Sequence, residues 1–551
     1  MDNKQMADLL FSHITATPEE YEEKYPKRQI EEGTVVTRFA PSPTGFLHFG
    51  GLFAAFVEKT AARTTNGVFY LRIEDTDKKR EVENGVSLIV KGLSDFGIEI
   101  DEGMLSETKE KGAYGPYIQS KRTEIYQCYV KSLVEKGLAY PCFMTEEELS
   151  EIREKQEANK ELPGVYGKYA KYRDITVEEA KAKIESGCEY VVRLKSPGKP
   201  ENRIKFKDVI KGEIEMPENI LDVVLLKKDG TPTYHFAHAV DDHLMRTTHV
   251  IRGDEWISSV PIHLQLFYLC GFKPPKYAHI SPIMKEENGG KRKLSKRKDP
   301  EAAVSYYSEV GYPKGAIWEY LMTLANSNYE DWRIANHDAD IEDFKFAFSK
   351  MSKAGALFDL VKLTDVSKNY ISTLNAEEVY DLVVDWAKEN NEKLYNLLAD
   401  DEEYAKSIFA IERGNAKPRK DISAWSDVEN YVAYFYTELW DRNLDFADNL
   451  SNDDMIEILE KYKEVYDANG TAEDWFPTVR DMAVDLGYAK APKEYKKNPD
   501  AYKGHVGDVA GVIRVAVTGR RNTPDLYEIL QVLGEDEVMK RFDEAIEKLR
   551  G

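Results

Sequence analysis

Two prolines and three glycines fall within the fifteen residues from Thr37 to Gly51, TRFAPSPTGFLHFGG, and they leave this stretch few backbone choices. Pro41 and Pro43 hold the chain extended and forbid a helix before Thr44. Gly45 then frees it to turn. Upstream, Thr34–Phe39 reads as a short strand; downstream of Gly50 and Gly51, LFAAFVEKTAAR has apolar positions at helical spacing. The expected unit is strand, tight loop, helix N-terminus. Such a helix end presents unpaired N–H groups and the positive end of a dipole, which suit a phosphate. His48 lies in the loop, where an imidazole could reach a triphosphate. On its own, His-x-Gly-Gly is more commonly an ordinary turn with an incidental histidine.

A second stretch bears on that choice. Lys291–Asp299, KRKLSKRKD, follows the loop-like ENGG, behind the strand-like run Tyr277–Met284 and before PEAAVSYYSEV, which reads as helix. A basic run alone is usually a solvated face. Two lysines on a mobile loop can also neutralise charge that develops on a triphosphate, without forming a covalent bond. From Thr34 to about Tyr140 strand and helix patterns alternate, which is parallel α/β, with ligands at the carboxyl ends of strands. VFYLRIE, Val68–Glu74, is a buried-strand run that ends in Glu74, Asp75 and Asp77. DVVLLKKDGTPTYHFAHAV reads as two strands joined at Asp229-Gly230, and a helix is expected from Pro261.

Together the two stretches resemble the HIGH and KMSKS signatures of class I aminoacyl-tRNA synthetases. PSPTG, the HxGG form and KLSKR resemble in particular the bacterial-type glutamyl-tRNA synthetases. RIEDTD (Arg72–Asp77), PTYHFAHAVDDHLMRTTHVIRGDEW (Pro232–Trp256) and VAVTGR (Val515–Arg520) agree in order and spacing. The resemblance implies an α/β fold: a Rossmann-type parallel sheet in two halves, 34–140 and 221–299, after a helical leader, 1–33. Between the halves it places an inserted acceptor-end-binding domain, 141–220. A helical stem-contact region, 300–370, and an all-α anticodon-binding domain, 371–551, follow. It implies ATP-dependent ligation of L-glutamate to tRNA-Glu through a glutamyl-adenylate, with His48, Lys293 and Lys296 meeting the reacting phosphate. Ser42, Thr44, Gly45, His48, Gly50, Gly51, Lys293 and Lys296 would line the ATP site, with Mg²⁺ held mainly by phosphates and water. Arg38, Ala40, Ser42, Glu74, Tyr234, His238 and Arg252 would form the glutamate site. Glu74 would take the α-ammonium group. In related glutaminyl enzymes the position of Arg252 is a small uncharged residue, typically Cys, so Arg252 would select the charged side chain, with Arg38 and Tyr234 assisting.

The net charge of −22 argues at first against a nucleic-acid partner, but most of it falls in residues 371–551, and local basic patches can still bind tRNA. In that region helices are expected throughout, broken at Gly414, Gly470 and Gly504. Its basic spots are Gly414–Lys420, Lys493–Lys497 and Gly519–Arg521; Tyr495 among them could stack on an unpaired base. Each spot alone is more commonly solvated surface. Four cysteines far apart in sequence suit free thiols in a reducing cytoplasm, and no run is long and apolar enough for a bilayer. A cytoplasmic monomer is expected. Some relatives hold zinc in the insertion; here Cys142 is followed by Met144, with Tyr169 and Lys171 at the later ligand positions, and one thiol does not make a tetrahedral site. No zinc is expected. The leader has an acidic, helix-patterned sequence with no assigned chemistry, and packing or solubility is the simpler role.

Other functions fit parts of this pattern. A small-molecule nucleotidyltransferase shares the histidine loop but needs none of the roughly 250 residues beyond KLSKR, and truncated relatives that modify a tRNA base lack the long tail. A non-catalytic tRNA-binding descendant has no need of His48, Lys293 and Lys296. A non-discriminating enzyme that also places glutamate on tRNA-Gln stays open, because that choice rests on one or two side chains at the third anticodon base.

Overall fold

Asp2 caps the first helix, α1 (Asn3–Leu10), and a Thr17/Glu20 capping box opens the second, α2 (Pro18–Lys24). These leader helices bury Met6, Ala7, Leu10 and Tyr21, and Arg28 forks onto Glu102 at 2.7 and 2.9 Å. The leader is therefore packed onto the body of the first unit. The computed structural model describes residues 2–45, 47–77, 82–295 and 297–551. Contacts divide the chain into two units: Met1–Tyr306 with Leu321–Asp359, and Tyr307–Tyr320 with Leu360–Gly551.

In the first unit come β1 (Val36–Phe39), α3 (Phe49–Arg63), β2 (Val68–Leu71), α4 (Gly85–Ser94), β3 (Glu102–Met104), β4 (Glu110–Lys111) and α5 (Thr123–Glu135). Strands β1, β2 and β3 are parallel, with β4 antiparallel at the edge. All four residues of β1 are buried, which explains a run of VTRF without polar alternation. The α/β pattern then breaks: β5 (Ala139–Cys142), α6 (Glu146–Ala158), α7 (Val177–Glu185), β6 (Val191–Leu194), β7 (Arg203–Asp208), β8 (Gly212–Pro217) and β9 (Val224–Leu226) form an antiparallel β5–β6–β9 sheet and a β7–β8 hairpin. It resumes with α8 (Tyr234–Leu244), β10 (His249–Gly253), α9 (Val260–Leu269) and β11 (Lys276–Ile280). β10 runs parallel to β11, with Arg252 beside His279. Thr248 ties this pair to β1, donating its N–H to the Val36 carbonyl at 3.0 Å and accepting the Val36 N–H at 2.7 Å.

Three local expectations need correction. The second half of DVVLLKKDGTPTYHFAHAV is helix α8, not a strand; only a Leu226–Pro232 bridge remains of the hairpin. Its apolar residues Phe236, Ala237 and Val240 recur at three- and four-residue steps, and burial of that face outweighs the β-like Thr-Pro-Thr-Tyr start. The run Tyr277–Met284 is not one strand: β11 ends at Ile280, and Met284 begins β12 (Met284–Glu287), paired antiparallel with β13 (Gly290–Lys293). ENGG is that hairpin's turn, so the first three basic residues lie on a strand rather than a loop. PEAAVSYYSEV, finally, is a short 3₁₀ turn, Pro300–Ala302, and a separate helix, Ser305–Val310.

The second unit is helical in all its regular elements. Helices Ala376–Asn390, Asn452–Val465, Val506–Thr518 and Glu535–Arg550 enclose Val383, Ile458, Val509, Ile513 and Phe542, each fully buried. Each such side chain contributes about 1.5–3 kcal/mol of transfer free energy. Residues 411–424 and 436–451 are largely irregular, so helix does not run throughout.

Candidate functional site

The N-terminus of α3 forms as the Pro/Gly spacing requires. Gly45 takes φ +129°, and His48 caps the helix, its Nδ1 accepting the Gly51 N–H at 2.9 Å. The neutral ring then carries its proton on Nε2. A Cβ on Gly50 would lie 3.2 Å from His48 Cε1, so a glycine there leaves the cap room. His48, Gly50 and Gly51 line a cleft of about 340 Å³ with Gly253, Glu255 and Lys293. Ser42 and Thr44 are exposed in the loop before the helix. Arg292, next to Lys293, forks onto buried Asp299 at 2.6 and 2.7 Å, and Asp299 also accepts the Ser295 N–H at 2.9 Å. Those bonds, Arg292 above all, hold the Asp299 carboxyl far below the usual range. Lys296 lies outside the described residues.

Beside this cleft, one residue along β10 from Gly253, is a buried polar pocket. Arg38 and Arg72 converge on Asp242: Arg38 Nε at 3.3 Å and Arg72 Nη1 at 2.6 Å. Burial alone would raise the Asp242 carboxyl; Arg38 and Arg72 overcome it and hold it well below the usual range. Arg72 Nη2 donates to Glu74 at 3.1 Å, but burial dominates there and pushes the Glu74 carboxyl up. His238 Nδ1 lies 2.6 Å from Asp242, off the line of a good hydrogen bond, and its Nε2 meets the Tyr277 hydroxyl at 3.0 Å. Ala40 is part-buried at the end of β1.

Arg252 differs from the other two arginines. Its Nε donates to His279 Nε2 at 3.1 Å, Nη1 to the Tyr234 hydroxyl at 3.2 Å, and Nη2 to the Trp256 carbonyl at 3.4 Å and His263 Nδ1 at 3.1 Å. Every one of these acceptors is neutral. Among the described residues no carboxylate lies within 4.0 Å of this guanidinium, although it is only 7% exposed. Burial, with Arg252 adding to it, lowers His235 to about 4 and His263 well below the imidazole range; burial likewise brings His238 to about 4. The pocket therefore holds a desolvated cation among uncharged rings.

Arg38, Glu74, Tyr234, His238 and Arg252 are thus brought together, and His48, Gly50, Gly51 and Lys293 form a neighbouring set. Sequence reasoning missed Asp242, Trp256, His263 and His279. Asp242 carried a signal, since positions 234, 238 and 242 share one helical face; the other three follow from tertiary packing. In the insertion, Tyr169 donates to Glu161 and Lys171 to Glu148, the latter at 2.7 Å. In the second unit, Arg419 and Arg520, from two of the basic spots, line one cleft of about 340 Å³ with Lys368, Tyr431 and Tyr434. Tyr495 packs edge-on to His505 instead.

A parallel α/β half with a histidine-capped helix facing a basic hairpin, an antiparallel insertion, and a helical second unit are the parts of a class I tRNA synthetase. The chain belongs to that family: the profile described as "tRNA synthetases class I (E and Q), catalytic domain" matches residues 34–365, and an anticodon binding domain matches 416–546. A glutamate–tRNA ligase of Clostridium perfringens (strain SM101 / Type A) is 54% identical over 546 residues, covering 98% of this chain and 99% of that protein. The glutamate–tRNA ligase of Clostridium beijerinckii is 51% identical over 551 residues, covering 99% of this chain and all of that one. Among solved structures, a glutamate tRNA ligase from Elizabethkingia meningosepticum in complex with its amino acid matches with a TM-score of 0.75 at 30% identity, covering 94% of this chain and all of that one.

Proposed function

We propose that this chain is a glutamate–tRNA ligase whose amino-acid pocket selects glutamate through Arg252. The α-carboxylate of glutamate attacks the α-phosphate of ATP, forming glutamyl-adenylate and releasing pyrophosphate. The terminal ribose hydroxyl of tRNA-Glu then takes the glutamyl group, and AMP leaves. Such a reaction needs positioning and charge stabilisation rather than an activated protein nucleophile. His48 Nε2–H, the α3 N-terminus at Gly50 and Gly51, Lys293 and Lys296 supply positive potential to the phosphates, with Ser42, Thr44 and Gly45 in the loop beside them.

The observation that carries the glutamate reading is the lone buried charge on Arg252. Arg38 and Arg72 share Asp242 and have further carboxylates within 4.0 Å, Glu58 beside Arg38 and Glu74 and Asp241 beside Arg72, but Arg252 is surrounded by neutral acceptors. Four of its five N–H groups are engaged, and the fifth is on Nη1. Tyr234, which accepts from that same Nη1, keeps its own hydroxyl proton to donate. A substrate carboxylate placed there receives two hydrogen bonds and neutralises the cation; a neutral amide does not. Glu74, with Ala40 and Ser42 near it, faces the substrate's other end and takes the α-ammonium.

Mg²⁺ accompanies ATP in this proposal and supplies charge neutralisation. Among the described residues no cluster of three or more His, Cys, Asp or Glu side chains could hold a metal, and Glu255 is the one carboxylate lining the nucleotide cleft. That fits an ion held mainly by phosphates and water. The anticodon would meet the second unit at the Arg419–Arg520 cleft. The proposal extends to a cytoplasmic monomer; all four cysteines are free thiols, and no helix among the described residues could cross a membrane. The relatives' names give no support to charging of tRNA-Gln as well. The test is aminoacylation of purified tRNA-Glu and tRNA-Gln with glutamate and, separately, with glutamine. Glutamate on tRNA-Glu is the expected product, and a preference for glutamine would overturn the reading.

A further inference from the structure

Arg252 is aimed by a chain of contacts that starts outside the α/β sheet. Its cross-strand neighbour His279 is fully buried and accepts the Nε–H of Arg252 on Nε2 at 3.1 Å. A guanidinium never acts as acceptor, so His279 must carry its proton on Nδ1. That proton goes to Asp208 Oδ2 at 2.7 Å, and the same oxygen takes the His279 backbone N–H at 3.1 Å. Asp208, also fully buried, is the last residue of β7, in the inserted hairpin. Its other oxygen accepts the N–H groups of Ile210 and Lys211 at 2.9 and 2.7 Å. Four donors therefore use both oxygens of the carboxylate, and only a carboxylate can serve all four.

We propose that Asp208 and His279 are positioning residues for amino-acid selection: Asp208, from the inserted hairpin, fixes the His279 tautomer, and His279 fixes the direction of Arg252. The proposal rests on the reading that Arg252 meets the side-chain carboxylate of glutamate. An amide in place of Asp208 has one acceptor oxygen. When that oxygen keeps the two turn N–H groups, its NH₂ faces the N–H groups of His279. The His279 proton then moves to Nε2 and opposes the Nε–H of Arg252, a donor against a donor. The guanidinium turns away and the Nη1–H no longer points to substrate. The proposed ATP site lies one strand residue further along, and its His48, Gly50, Gly51 and Lys293 make no hydrogen bond to Asp208 or His279 among the described residues.

The test uses the full-length protein and steady-state aminoacylation of tRNA-Glu, with thermal melting of each variant. Asp208→Asn should raise the glutamate KM about tenfold or more, because a buried donor is left facing a donor beside Arg252. The ATP KM should move less than about twofold, since nucleotide contacts are intact. In an Arg252→Cys background the same Asp208→Asn change should add nothing, because it acts through Arg252. Equal rises in glutamate and ATP KM, or the same fold loss in both backgrounds, would overturn the proposal. If Arg252→Cys loses glutamate and Asp208→Asn does not, only the positioning role falls. If Arg252→Cys keeps the wild-type glutamate KM, the Arg252 reading falls and this inference with it. Should Asp208→Asn melt, His279→Leu and His279→Gln carry the test. Leucine removes the acceptor and should raise the glutamate KM, while glutamine keeps one and should raise it clearly less; equal effects would overturn the proposal.

Discussion

Arg38 lies edge-on to Asp242, its Nε 3.3 Å from both carboxylate oxygens. Both side chains are buried, and Arg72 takes the same carboxylate at 2.6 Å. Asp242 is thus the nearest anion to two cations under the pocket, ahead of Glu58 at 3.8 Å from Arg38 and of Glu74 at 3.1 Å and Asp241 at 3.8 Å from Arg72, which makes its removal costly. Asp242→Asn leaves both guanidiniums short of charge and should cost about 3–5 kcal/mol of stability. Urea unfolding at neutral pH measures this, and a loss under about 1 kcal/mol, the scale of an exposed pair, would refute it. The sign with pH follows from the depressed folded value. The stabilisation is present above the unfolded carboxylate value of about 3.9 and is lost as pH falls toward the folded one.

The buried imidazoles act at higher pH. His235 and His238 fall to about 4 in the folded chain, chiefly through burial. In the unfolded chain they titrate near the usual value of about 6.5. As pH drops from about 6.5 to 4 the unfolded state therefore binds more protons, and stability falls. The urea midpoint should be lower at pH 5 than at pH 7.5, and His238→Gln should flatten part of that decline. An identical decline in the variant would remove His238 from the account.

How far the sequence shows this site depends on which contacts are local. The Pro/Gly loop, the α3 start and His48 are legible because capping and turn geometry are decided within a few residues. Tyr234 and His238 fall on one face whether the segment is read with period two or with helical period, so the wrong choice of strand still paired them. Asp242 lies beyond the segment read as strand, which ends at Val240, and joins them because the helix runs on to Leu244. His279 meets Arg252 through strand register and Asp208 reaches His279 from 71 positions away, and no local pattern encodes either. The turn at ENGG read as open loop because lysines and arginines carry little strand propensity; cross-strand pairing supplied what propensity lacked.

For the helical unit, Arg419 and Arg520 come from separate basic spots yet line one cleft with Tyr431 and Tyr434. The Arg520 guanidinium lies 5.3 Å from the Tyr434 ring and donates to Asn430 at 2.8 Å, so it is held in place. Arg520→Ala should raise the KM for tRNA while leaving those for ATP and glutamate unchanged. If the contact is to phosphate, the salt dependence of tRNA binding should lose about one unit of slope. An unchanged tRNA KM at low and high salt would take this cleft out of recognition.

The basic hairpin gives the last prediction. Lys293 ends β13 and lines the cleft at His48, and Arg292 beside it is locked to Asp299. Charge grows on the phosphates as the adenylate forms, so a lysine on this segment acts mainly in the transition state. Lys296→Ala should therefore slow adenylate formation and change glutamate binding little. Asp299→Asn acts on the same step from the other side: it loosens Arg292, Lys285 and the Ser295 N–H together. It should lower kcat/KM for ATP while the preference for glutamate over glutamine stays, because Arg252 and its partners are untouched. Pyrophosphate exchange in the presence of tRNA reads the first effect, and aminoacylation with each amino acid reads the second. A Lys296→Ala enzyme with unchanged turnover and only a raised ATP KM would mean that the lysine binds ground-state ATP instead. Loss of amino-acid preference in Asp299→Asn would mean that the hairpin and the pocket are not separate, and that nucleotide and side-chain selection share one support.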